Sequence, residues 1–322
     1  MRQACRDFAG VMKLILRALL LSAFLPPAFA AQAQQPPVTN APAATVAGLP
    51  EGARMFKDIE YVPGGHERQK LDLYLPPPTN KPSPLIIWIH GGAWMAGSKN
   101  DCPAKRFVAR GYAVASVGYR LSQHAIFPAQ IEDCKTAVRW LRAHAKQYHL
   151  DPKRFGAWGA SAGGHLVALL GTTGGVKEFD RGANLRVSSR VQAVADFFGP
   201  TDLLRMGEQS SPKSQIHHDS PTAPEAKLIG GAVQENKDKA NRASPITYVS
   251  KGDPPMLIVH GDADPLVPCQ QSEELYEALK KAGVDAQLHL VKGGGHGTGF
   301  GPDVNELLVQ FFDKHLKNSA AR

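Results

Sequence analysis

Serine, histidine and aspartate together cleave acyl bonds, provided the serine sits on a sharp turn and the histidine can reach it. One serine in this chain has such a setting. Gly159-Ala160-Ser161-Ala162-Gly163 is a G-x-S-x-G run that follows the apolar stretch 155–158 and precedes a helical pattern. Strand, turn and helix in that order lift a serine hydroxyl to the carboxyl edge of a sheet. The flanks must be small because larger side chains would strike neighbouring strands, and Gly164 extends the small run into the first helical turn. Ser161 is therefore the expected nucleophile.

A serine hydroxyl is a weak nucleophile without a base. Of the twelve histidines, His296 lies in Gly293-Gly294-Gly295-His296-Gly297, between the strand pattern 286–291 and the last helix. Glycines on both sides let it approach a serine across the sheet edge, so His296 is the expected general base. The acid that orients it is sought in the loop after the penultimate strand, His260 to Pro268, which offers Asp262 and Asp264. Either choice gives the chain order serine, aspartate, histidine of one fold that uses this triad. The other histidines read as structural. His90 stabilises a loop, His165 points away behind the nucleophile, and His260 is a hydrogen-bonder at a strand end. The adjacent His217 and His218 read as solvated.

Negative charge that develops on the substrate needs donors held ready for it. His90-Gly91-Gly92-Ala93-Trp94 follows the strand 85–89, and its glycines free the backbone to aim N–H groups into a cavity. The N–H groups of Gly92 and Ala93, with that of Ala162 at the helix start, are the expected oxyanion hole. Trp94 is a candidate wall of the acyl pocket.

These residues need a frame. Strand-like runs at 59–62 and 71–75 flank the Pro63-Gly64-Gly65 turn and suggest an antiparallel hairpin. Apolar strands then alternate with helices: strands at 85–89, 112–117, 154–158, 191–198, 255–260 and 286–291, and helices at 104–110, 129–148, 162–170, 272–282 and 304–316. Near-continuous apolar strands between helices mean a parallel sheet covered on both faces, so the fold class is α/β with about eight mostly parallel strands. The polar stretch 201–251 interrupts this rhythm and is a candidate lid-like insertion.

Composition agrees with an exported globular domain. Hydrophobic residues make up 43% of 322, enough to bury a large core. The formal net charge is +8, of which Arg2, Arg6, Lys13 and Arg17 against Asp7 supply +3. No Lys/Arg run with interleaved aromatics occurs, which argues against nucleic-acid binding. Residues 1–30 show a cationic start, an apolar run from Leu14 to Leu25 and Ala28-Phe29-Ala30, the order of a cleavable signal peptide, with Ala33 as the rival cleavage site. That run is too short to anchor comfortably in a bilayer, and no later segment reaches transmembrane length. Residues 31–54, rich in Ala, Gln and Pro, read as a flexible tether ahead of a catalytic domain over 55–318. Secretion or periplasmic location follows. Of the four cysteines Cys5 lies in the leader; Cys102 and Cys134 can pair, leaving Cys269 free.

His90 to Trp94, Gly159 to Gly164, Asp196-Phe197-Phe198-Gly199-Pro200-Thr201-Asp202 and His260 to Pro268 together resemble the α/β-hydrolase carboxylesterases, in particular the bifunctional acetylxylan/feruloyl-esterase-like family. The likeness runs from Met55 to Leu316. It implies an α/β-hydrolase fold, a triad acid at Asp264 and cleavage of acetyl, feruloyl or other short acyl or aryl esters, small or polysaccharide-linked, with no cofactor or metal. It also favours a Cys102–Cys134 bridge. Ala93 stands where lipase relatives carry a third glycine, which preserves backbone donation and can alter acyl preference. An amide hydrolase of arylformamidase type shares the glycine loop and triad. A non-catalytic binding protein is the alternative from a different class.

Overall fold

The computed structural model describes residues 48–212, 214 and 216–317. The leader expected over 1–30 and the tether up to residue 47 lie outside the described residues. The end of the expected tether is described, and it packs: Ala53 is buried and Leu49 lies on the core. The first strand starts at Arg54.

Eight strands form one sheet: β1 (Arg54–Glu60), β2 (Lys70–Leu75), β3 (Ser83–Ile89), β4 (Ala113–Val117), β5 (Leu150–Ala160), β6 (Ala193–Phe197), β7 (Met256–Gly261) and β8 (Ala286–Val291). Their order is β1-β2-β4-β3-β5-β6-β7-β8. β1 pairs antiparallel with β2, β2 pairs antiparallel with β4, and every later pairing is parallel. This is the expected mostly parallel sheet, and parallel strands bring β3, β5, β6, β7 and β8 to one carboxyl edge, where ligands bind in open α/β sheets. The expected hairpin forms, with its first strand nearer the N-terminus than 59–62. Tyr61 leaves the strand to turn inward, its hydroxyl donating to the Gly118 carbonyl at 2.7 Å.

Both faces are buried. In β3, Leu85, Ile87 and Ile89 face one core while Ile86 and Trp88 face the other, the alternation that a pleated strand requires. The first core packs under helices α1 (Ala129–Ala143), α2 (Ala162–Thr172) and α6 (Gln270–Lys281), whose contributions include Ile131, Leu166 and Leu275. The second packs under α7 (Pro302–Phe312) through Leu308 and Phe312, and under a tight turn over Pro103–Arg110 through Phe107. Gly156 lets α7 come close: a Cβ there would lie 2.8 Å from Phe312 and from Leu316. Fully burying each such large apolar side chain contributes about 1.5–3 kcal/mol.

Several boundaries differ from expectation for local reasons. The turn over Pro103–Arg110 is 3-10 rather than α, opened by Pro103 and closed by Gly111 at φ 80°. α1 stops at Ala143 instead of reaching Tyr148: beyond His144 the ladder tightens, Ala145 N–H donating to the Arg142 carbonyl, and the chain folds back until Leu150 N–H donates to the Ala145 carbonyl. α7 ends at Phe312 and widens into a π turn over Asp313–Lys317.

Cys102 and Cys134 are not bridged. Cys102 lies in the core under α7 and Cys134 in the core under α1, so the sheet stands between them. The favoured pairing is overturned because the chain runs from β3 to β4 in one direction along the sheet and from β4 back past β3 to β5 in the other, and right-handed crossovers of opposite direction lie on opposite faces.

The stretch 201–251 contains the short helices α3 (Met206–Gln209), α4 (Pro224–Ile229) and α5 (Lys237–Ala243). Much of it is core. Leu228, Ile229, Ala240 and Ala243 are buried with α1 and α2. The Thr201 hydroxyl donates to the Gln271 carbonyl at 2.6 Å, and Leu203 N–H donates to Ser244 Oγ at 3.0 Å. Among the described residues no helix is long and apolar enough to cross a membrane.

Candidate active site

Ser161 stands between β5 and α2 with φ 57° and ψ −124°, a conformation that L-residues rarely adopt. Its surroundings enforce this. Ser161 N–H donates to the Phe197 carbonyl of β6 at 2.8 Å, and its carbonyl accepts from His165 N–H at 3.0 Å as α2 begins. The flanking glycines have no room for side chains. A Cβ on Gly163 would lie 2.1 Å from the Ile89 carbonyl oxygen, and one on Gly159 would lie 2.2 Å from that of Gly163.

His296, on the loop after β8, reaches Ser161 as expected. Its Nε2 lies 2.9 Å from Ser161 Oγ and its Nδ1 lies 2.7 Å from Asp264 Oδ2. The carboxylate can only accept at neutral pH, so Nδ1 carries the proton and Nε2 accepts from the serine hydroxyl. Asp264, its side chain fully covered, accepts through Oδ1 from the backbone N–H groups of Leu266 at 2.8 Å and Val267 at 3.0 Å. Burial alone would push its carboxyl up. The N–H groups of His260 and His296 beside it outweigh that and hold it well below the usual carboxylate range. Asp262 is elsewhere: its Oδ1 accepts from Gly293 N–H at 2.6 Å and steadies the start of the loop that carries His296. Of the two aspartates, Asp264 is the one that lies beside His296.

The loop after β3 turns through three successive left-handed residues, Gly92 at φ 105°, Ala93 at 53° and Trp94 at 56°. Gly92 accepts N–H bonds from Met95 and Ala96, both at 2.9 Å. The N–H groups of Gly92, Ala93 and Ala162 have no acceptor among the described residues. His90 stabilises this loop. Its ring stacks on Tyr119 at 4.4 Å, Nδ1 donates to the Gly91 carbonyl at 2.7 Å, and Nε2 accepts from Arg68 Nη2 at 3.2 Å. Burial pushes the ring down to about 4, with Arg68 adding to the effect, so it is neutral at pH 7. Arg68 also donates to the Gly97 carbonyl at 2.7 Å. Sequence reasoning had no signal for this arginine, which lies between β1 and β2.

A cleft of about 880 Å³ opens beside Ser161 and His296. Trp88, Trp94, Met95, Phe198 and Val267 give it an apolar lining. Trp94 both walls the cleft and packs, being only 2% exposed. Phe198 meets the His296 ring edge-on at 4.7 Å. It belongs to the motif 196–202, but nothing in the motif marks it as a neighbour of the base.

His218 corrects an expectation. It is buried rather than solvated, and it lines the cleft with Ile216 and Glu225. Its Nδ1 lies 3.0 Å from Glu225 Oε1 and its Nε2 lies 3.1 Å from the Leu266 carbonyl. His217 beside it is exposed, as expected. Two polar neighbours in sequence separate because only one faces the core of the insertion.

Fold and site together define an α/β-hydrolase. The BD-FAE family model matches residues 71–279, more than half of the chain. The chain belongs to that family, among the carboxylesterases of the α/β-hydrolase fold. It is 30% identical over 221 residues to Esterase LipC of Mycobacterium tuberculosis (strain ATCC 25618 / H37Rv), covering 67% of this chain and 53% of the relative. The chain spans about half the length of the curated relatives it matches. Among solved structures it resembles a truncated form of a carbohydrate esterase from gut microbiota, at 36% identity and a TM-score of 0.77, covering 84% of this chain and 99% of that one. It also resembles a bifunctional GH43-CE protein of Bacteroides eggerthii, at 38% identity and a TM-score of 0.74, covering 81% of this chain and 35% of that one.

Proposed function

We propose that this protein is an exported serine carboxylesterase that hydrolyses short acyl or aryl esters, of acetyl or feruloyl type, carried on small molecules or polysaccharides. The observation that carries this reading is the continuous path from Ser161 Oγ through the His296 ring to Asp264, at 2.9 and 2.7 Å, at the floor of an apolar cleft.

Ser161 Oγ attacks the ester carbonyl carbon while its proton passes to His296 Nε2. Asp264, held ionised, stabilises the imidazolium that forms. The carbonyl oxygen gains the charge and accepts from the N–H groups of Gly92, Ala93 and Ala162, whose directions are set before substrate arrives. The C–O bond to the alcohol then breaks, and His296 returns the proton to the leaving oxygen. Water, deprotonated by the same ring, attacks the acyl-serine and frees the acid. Every step uses side chains and backbone of this chain. The likeness to a carbohydrate esterase supports sugar-linked esters. The leader-like residues 1–30 support export.

Hydrolysis of acetylated xylan, methyl ferulate and p-nitrophenyl esters of graded chain length tests the reading. Activity on short esters is expected, with Ser161→Ala losing roughly a million-fold. Substantial hydrolysis by that variant would refute it. Faster turnover of formanilides than of any ester would move the protein to the amide hydrolases.

A further inference from the structure

Asp264 Oδ2 has a second imidazole beside it. His260, at the end of β7 and fully buried, places Nε2 3.2 Å from Asp264 Oδ2 and 3.0 Å from the Val267 carbonyl oxygen. Both neighbours are acceptors, so Nε2 bears the proton; it donates to the Val267 carbonyl and stands beside the Asp264 carboxylate. On the other side of the ring, Nδ1 lies 2.6 Å from Ser272 Oγ in the first turns of α6. With Nε2 protonated, neutral Nδ1 accepts from the Ser272 hydroxyl. The tautomer is thus set from both ends.

The triad acid consequently accepts three N–H groups, Leu266 and Val267 on Oδ1 and His296 on Oδ2, and has the N–H of His260 as a fourth close to Oδ2 at 3.2 Å. A carboxylate held by only the two backbone groups and His296 could swing about its Cα–Cβ bond and carry His296 with it. The fourth donor comes from a strand residue of the central sheet and closes that freedom. It also draws electron density from Oδ2 and weakens the pull of Asp264 on the His296 Nδ1 proton.

Resting on the esterase reading above, we propose that His260 is a positioning residue of the reaction, locked by Ser272, that holds the Asp264 carboxylate in the plane His296 needs and tempers its basicity. The groups around it are few. His260 faces Asp264, Ser272 and the Val267 carbonyl, with the Phe198 ring 6.4 Å away. His296 faces Asp264, Ser161 and Phe198. Further titratable groups around the loop are Asp262, turned to Gly293, Cys269 just before α6, whose thiol feels the charge of Asp264, and the His218–Glu225 pair, which reaches the loop through the Leu266 carbonyl.

The direction of the effect follows. Losing the His260 donor makes Asp264 more basic, which favours the imidazolium of His296. Activity requires that ring neutral, so the acid limb of kcat/KM moves to higher pH. The test measures kcat, KM and the pH profile of p-nitrophenyl acetate hydrolysis for His260→Met, His260→Gln and Ser272→Ala, with melting curves as the folding control. Methionine keeps bulk without a donor, and glutamine restores an N–H near the Nε2 place. His260→Met is expected to lose about tenfold or more in kcat with KM little changed, and to shift the acid limb upward. His260→Gln should recover most of both. Ser272→Ala should show a smaller loss with the same direction of shift.

A folded His260→Met variant with unaltered kcat and acid limb would overturn the proposal. So would a folded His260→Gln no better than methionine. Should His260→Met fail to fold, Ser272→Ala decides: an unmoved kcat and pH limb there overturns it. Ser161→Ala separates the two claims, since an active Ser161→Ala variant sinks the esterase reading itself whatever His260 does.

Discussion

The indole N–H of Trp94 donates to His165 Nδ1 across 3.1 Å, joining the glycine loop after β3 to the helix behind Ser161. His165 in turn donates from Nε2 to the Ala243 carbonyl at 2.7 Å, at the end of α5. Burial pushes this ring down to about 4, so it stays neutral and can accept from one side and donate from the other. One buried imidazole therefore ties together the glycine loop after β3, the helix behind Ser161 and the insertion.

Trp94→Phe removes the donor and leaves His165 Nδ1 unsatisfied in a dry site. A loss of about 1–2 kcal/mol is expected, or roughly 2–8 °C in Tm for a domain of this size. Because the loop carries Gly92 and Ala93, kcat should also fall by roughly three- to tenfold, short of the loss from deleting an oxyanion donor. Thermal melts and steady-state kinetics on a short ester read both. A variant that melts and turns over like the wild type would remove the bond from the account.

The backbone at Ser161 stores strain that its side chain does not need for folding. At φ 57° a Cβ is disfavoured, and a glycine is not. Ser161→Gly should therefore be more stable than Ser161→Ala by about 1 kcal/mol or more, while both lose the activity. Differential scanning calorimetry of the two variants provides the comparison; equal stability would mean that the turn is relaxed.

Asp196 gives a pH signature of opposite sense to most carboxylates. It is fully buried at the end of β6, with Oδ1 accepting from Gly199 N–H at 3.0 Å and Oδ2 without a hydrogen bond. Burial pushes its carboxyl from 3.8 up to about 7, against the smaller downward effect of the Gly199 bond. A raised folded value means that stability is fully present below the unfolded value and is lost as pH rises through the folded one. Asp196→Asn should match the wild type near pH 4 and exceed its stability at pH 8 by on the order of 1–3 kcal/mol. Urea midpoints at both pH values test this, and an equal difference at the two would contradict it.

The thiols should behave as free and shielded. Burial pushes Cys102 up to about 11 and Cys134 well above the usual thiol range. Neither should react with Ellman's reagent until the protein unfolds, and dithiothreitol should leave Tm unchanged. A bridge worth about 2–4 kcal/mol would instead show as a drop of several degrees on reduction.

Much of the site was legible before any coordinates because its chemistry is local. The glycines around Ser161 exist to avoid the Ile89 and Gly163 carbonyls, and that need leaves a mark within five residues. The glycines beside His296 and after His90 likewise advertise backbones that must pass close to others. Periodicity was enough for the strands, whose alternate residues meet two different cores. Element ends were less legible, since α1 stops where the chain folds back and Leu150 N–H reaches the Ala145 carbonyl.

Residue types and spacing alone thus determined a parallel sheet with a serine turn, a glycine-rich loop and a histidine near the chain's end. Tertiary structure decided which of two aspartates faces that histidine, which of two neighbouring histidines is buried, and that two cysteines stand on opposite sides of a sheet. The reason is physical: a turn's requirements are met by its immediate neighbours, whereas burial and pairing depend on groups brought together across long stretches of chain by packing.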